Sequence, residues 1–165
     1  MLHRRVRDRA RRFARSAKRV GTMYSPEALH AVRIAGKKLR YSLELSQDVS
    51  GIPLGREIGQ LKRLQTLLGE LHDLQILTGY VRSVLTKADL DPPTRKALDD
   101  MAVSFDAECR ALHSKVLRRM PAVVAAADGL ARTRLRAVPP RAKTKMARMT
   151  VPATPRRSIG ERATS

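Results

Sequence analysis

The sequence predicts an all-α protein: an antiparallel bundle of about four helices over residues 1–137, followed by a disordered basic tail over 138–165. Three observations carry this. Apolar residues recur at steps of three and four in four successive segments, the spacing of one helix face. Residues that start and stop helices bracket those segments. No stretch alternates apolar and polar residues as a half-buried strand would.

The first helix is expected over residues 2–20, where Leu2, Val6, Ala10, Phe13, Ala17 and Val20 form a seam, arginines fill the other sides and Gly21 ends the run. Ser25-Pro26-Glu27 is a helix start: serine caps, proline suits the first turn, and glutamate favours the positive helix end. The second helix should run from about Pro26 to Gln47, closed by Gly51 and Pro53. A third spans about Leu54 to Leu85, with a bend expected near Gly79 and with Leu61, Leu64, Leu67, Leu68, Leu71 and Leu74 on one broad side. Residues 89–96, DLDPPTRK, read as a turn and a new start. The fourth helix then carries Leu98, Met101, Phe105, Leu112 and Val116; Pro121 is expected to bend or end it, with a short Ala/Val-rich piece continuing to about Arg136. From Val138 onward prolines are scattered among Lys, Arg, Ser and Thr without periodicity, the pattern of a disordered segment.

A chain of 165 residues suits one domain with a modest core. The net charge is +19, and it sits at the ends: residues 1–20 carry nine Lys/Arg against one acid, residues 132–165 ten against one, and the middle fifteen against thirteen. Such a balance favours a polyanionic partner. With no Trp and few Phe or Tyr, the chain lacks the stacking platforms that bind single-stranded nucleic acid. Cys109 is the single cysteine, so neither an internal disulfide nor a cysteine-based zinc site is open to it, and a reducing cytoplasm is the natural compartment. The arginine-rich start has no apolar h-region, and no apolar run approaches a membrane span.

The second helix holds the constellation of most interest. At 100° per residue, His30, Arg33, Lys37, Arg40 and Tyr41 share an arc of about 100°. Like charges at this spacing repel, so the face meets either water or something strongly negative. The plain reading is a solvated cationic face, partly paired with Glu44. The sharper reading is a polyanion track, in which guanidinium forks grip phosphate oxygens in pairs and lysine adds a point charge. Ile34 and Leu45 flank the arc, which is unusual for a solvated face.

On the third helix Lys62, Gly69 and Asp73 stack on one side, with His72 beside the leucine arc. Gly69 is costly inside a helix and is read as a place of close helix approach. Asp73 is positioned to accept bonds from an arginine of the second helix. His30, His72 and Asp73 also make a metal trio, a weaker reading because adjacent helix residues point about 100° apart.

LHAVRIAGKKLRYSLEL followed by LKRLQTLLGELHDLQIL resembles the CHAD family, the histidine-containing α-helical domain, over roughly residues 5 to 120. The resemblance implies a helical fold that binds inorganic polyphosphate in a basic channel without catalysis and without a cofactor. It assigns phosphate contact to Arg33, Lys37, Lys38, Arg40 and Lys62, and a supporting role to His30, Tyr41, His72 and Asp73; no residue is assigned to catalysis or to a metal. It also implies association with polyphosphate granules. Only one copy of the family's two helical halves is evident, closest to the second, so the chain is expected to be a piece of a longer product or to pair with a second copy as a homodimer.

The leucine arc of residues 61–74 and the seam of residues 2–20 are expected to exceed what four helices can bury, which favours that homodimer. Two other functions remain open. Nucleic-acid binding would rest on the basic ends and contact backbone phosphates without reading bases. A phosphate-chain enzyme would need a carboxylate cluster for Mg²⁺, and the acids here are scattered.

Overall fold

A computed structural model describes residues 2–21, 23–87 and 89–132. These form four helices: α1 Leu2–Lys18, α2 Pro26–Ser50, α3 Gly55–Lys87 and α4 Pro92–Arg132. Each helix packs on its neighbours in sequence and α4 returns to α1, so the helices close a four-membered ring around one core. Contacts along α1 run against those along α2: Arg9 meets Lys38 and Ser42, and Phe13 meets Gly36. Contacts of α2 with α3 descend in the same way, Glu44 with Lys62 and His30 with His72. The bundle is therefore all-α and antiparallel, as the spacing of apolar residues predicts. The tail over 138–165 lies outside the described residues.

The helix ends follow from local chemistry. Ser25 caps α2: its Oγ accepts from the Ala28 N–H at 3.2 Å, and Pro26 fills the first position. At the other end Gly51 takes the left-handed conformation, φ 63°, and its N–H donates to the Gln47 carbonyl at 2.9 Å. The Gln47 side chain then accepts from the Leu54 N–H at 3.0 Å, which fixes the short turn into α3. Asp91 caps α4 by accepting from the Thr94 N–H at 2.8 Å and the Thr94 hydroxyl at 2.9 Å; those bonds hold its carboxyl below the usual range.

The core takes Val6, Ala10, Phe13 and Ala17 from α1, Leu29, Val32, Leu39 and Leu43 from α2, and Leu61, Leu64, Leu68 and Leu71 from α3, all buried. This corrects one expectation. The first seam and the leucine arc are covered by the bundle itself, because α4 supplies Leu112, Val116, Met120 and Val123 as the fourth wall. Of the large apolar residues that stand exposed, Met23, Tyr24, Tyr41, Leu45 and Val49 lie on α2 or just before it. A second group lies farther along, Ile76, Leu77, Tyr80 and Val84 on α3 and Met101 and Val103 on α4, and it is this group that needs a structural reason. Helix length explains it. α1 spans about 25 Å and α4 about 60 Å at the usual rise, so one end of the α3–α4 hairpin has no third helix over it.

Three further expectations meet the structure, at Pro121, Gly79 and Gly69. α4 does not end at Pro121 but runs through it to Arg132. Pro121 lies on the exposed side, where water can satisfy the carbonyl left without its helical donor, and Met120, Val123 and Ala127 hold the turns around it in the core. α3 likewise passes Gly79 as continuous helix. The close helix approach is at Gly36, not Gly69. A Cβ at Gly36 would sit 3.4 Å from Phe13 Cε2 and 3.7 Å from Gln65 Nε2, whereas one at Gly69 would meet nothing within 4 Å.

A candidate polyanion-binding face on α2

α2 is the middle of three consecutive helices, so its outward side is bordered by α1 on one flank and α3 on the other. Val32, Leu39 and Leu43 anchor it inward. About a third of a turn round the helix stand the polar residues: Arg33 half-buried, Lys37 exposed, and Arg40 with 19% of its side chain exposed. The Arg40 guanidinium carbon lies 4.6 Å from the Tyr41 ring centroid, a cation–π contact that holds the group against an apolar surface. Arg40 Nη1 donates to Glu44 Oε1 at 3.0 Å, and Lys62 Nζ of α3 approaches the same oxygen at 3.4 Å. One carboxylate thus links the cations of two helices. Arg40 Nε is enclosed without a hydrogen-bond partner among the described residues, so any contact with an outside anion falls to the Nη groups.

His30 and His72 come together across the α2–α3 seam, with ring centroids 5.5 Å apart and planes at 47°. Asp73 is exposed and makes no hydrogen bond or ion pair among the described residues. The bracing expected of Asp73 is supplied by Glu44 instead. One turn of α2 separates Glu44 from Arg40, while Asp73 sits on the exposed side of α3 beyond the His30 level. Among the described residues no group of three or more His, Cys, Asp or Glu gathers as a metal site.

Lys38 parts from the other expected phosphate contacts. It lines a groove of about 710 Å³ between α1 and α2, opposite Arg9, Arg12, Arg15 and Arg19, with His30 also at its wall. The sequence reading missed this groove. Its signal was present: Arg9, Arg12 and Arg19 fall at steps of three and seven, one stripe along α1. A wheel drawn for a single helix does not say which neighbour that stripe faces. Arg9 is already committed, since its Nη1 donates to the Lys38 carbonyl at 2.9 Å and to Ser42 Oγ.

No helix among the described residues is long and apolar enough to cross a membrane. No curated protein and no solved structure matches the chain. The family model of the CHAD domain matches residues 1–82, a span that takes in α1, α2 and most of α3 and stops short of α4. Through that span the chain belongs to the CHAD domain family.

Proposed function

We propose that this domain binds inorganic polyphosphate without transforming it, along a track formed by Arg33, Lys37 and Arg40 of α2 and Lys62 of α3. The observation that carries the reading is the joint Glu44 contact, which draws Arg40 and Lys62 from separate helices to one face beside the two uncommitted cations. CHAD membership supports it, because the family is associated with polyphosphate. A linear ligand with repeated charge suits cations spread along a rigid rod better than a compact anion does. Tyr41, His30 and His72 support the track by packing rather than by proton transfer. Association with polyphosphate granules would follow from the binding.

The test is a direct comparison of long-chain polyphosphate with duplex DNA at matched phosphate concentration and salt. Tighter binding of polyphosphate supports the reading. Equal or weaker binding returns the cations to a general backbone-phosphate surface.

A further inference from the structure

We propose that the groove between α1 and α2 is a second phosphate-binding surface, and that a long polyphosphate chain crosses α2 at His30 to occupy both this groove and the α2–α3 track. The inference rests on the polyphosphate reading and extends it to residues that reading leaves out.

Charge balance decides in favour of the groove. The α3 flank carries four cations, and Glu44 already engages two of them. The α1 flank brings Arg9, Arg12, Arg15, Arg19 and Lys38 around one depression, with no carboxylate lining it. Arg12, Arg15 and Arg19 are exposed, and none of their side chains makes an ion pair or a hydrogen bond among the described residues, although Arg12 and Arg15 also border an adjoining depression that holds Asp8 and Asp128. Such cations raise the local potential, and the apolar floor of Ala31, Ile34 and Ala35 strengthens it by excluding water from one side. The groove is also rigid. Arg9 ties α1 to the Lys38 carbonyl, and Phe13 packs on Gly36 beneath it. His30 touches both regions, lining the groove while its ring packs on His72 of α3.

The experiment compares three variants for long-chain polyphosphate and for duplex DNA: Arg12→Gln/Arg15→Gln/Arg19→Gln in the groove, Arg33→Gln/Arg40→Gln in the track, and Arg156→Gln/Arg157→Gln/Arg162→Gln in the tail. The groove and tail variants remove equal charge. Losing unpaired like charges leaves the thermal midpoint of the groove variant unchanged or higher, so weaker binding is separable from unfolding. The expected result is at least a tenfold loss of polyphosphate affinity in the groove variant, a flatter salt dependence, and a much smaller loss in the tail variant. Equal losses in groove and tail would reduce the effect to net charge and overturn the proposal. Loss in the track variant alone overturns the groove and spares the function. Loss of DNA binding with polyphosphate retained would make the groove a nucleic-acid surface, and no polyphosphate binding by the unaltered protein would sink both readings.

Discussion

Lys62 Nζ of α3 lies 3.4 Å from Glu44 Oε1 of α2, and the same oxygen accepts from Arg40. This relationship both joins two helices and lowers the positive charge available to a ligand. Exposed ion pairs stabilise little, about 0–1 kcal/mol, and with the Lys62 side chain 58% exposed this one belongs at the low end.

Glu44→Gln is therefore expected to tighten polyphosphate binding several-fold while lowering stability by less than about 1 kcal/mol. Titration and a thermal melt read the two effects separately. Weaker binding would mean that Glu44 matters for holding Arg40 in place and not for the charge it cancels.

Gly69 lies inside α3 with open space where a Cβ would go. Glycine costs a helix interior about 0.5–1 kcal/mol relative to alanine, and no contact here offsets that cost. Gly69→Ala should raise stability by about that amount in chemical denaturation. A loss would show that a neighbour needs the space.

His113 is buried on α4 with its ring edge-on to Tyr24, centroids 5.3 Å apart, and its Nε2 has no hydrogen-bond partner. Burial disfavours the imidazolium and lowers the pKa from its ordinary 6.5. The unfolded chain then binds a proton that the folded one refuses. The stability is full above about pH 6.5 and is lost as pH falls toward the lower folded value. His113→Phe keeps a ring against Tyr24 and should flatten the dependence of stability on pH between 7 and 5, measured as the difference from the unaltered protein. An unchanged slope would remove His113 as its source.

The sequence made the bundle readable wherever the deciding physics was local. Ser25, Gly51 and Asp91 act within one turn of where they stand, and the seam from Val6 to Ala17 follows from helix period alone. The relations between helices were less legible. Gly69 and Gly36 are equally costly in sequence, and only the approach of Phe13 distinguishes them. Lys38 adjoins Lys37 in sequence, yet 100° of rotation turns it from the track to the α1 side. Pro121 is tolerated because its side of α4 faces water, a property of the ring and not of the residue. The pairing of His30 with His72 needed the antiparallel register of α2 and α3, which no single-helix wheel contains.

The central claim is that the α2–α3 track, and not bulk positive charge, binds polyphosphate. The most direct measurement is the affinity of Arg33→Gln/Arg40→Gln for long-chain polyphosphate against that of Arg156→Gln/Arg157→Gln, which removes two charges from the tail. Charge-assisted contacts are worth about 1.5–3 kcal/mol each, so the track variant should bind at least tenfold more weakly and the tail variant only slightly so. Equal affinities for the two variants would contradict the account and leave the face of α2 an ordinary solvated surface.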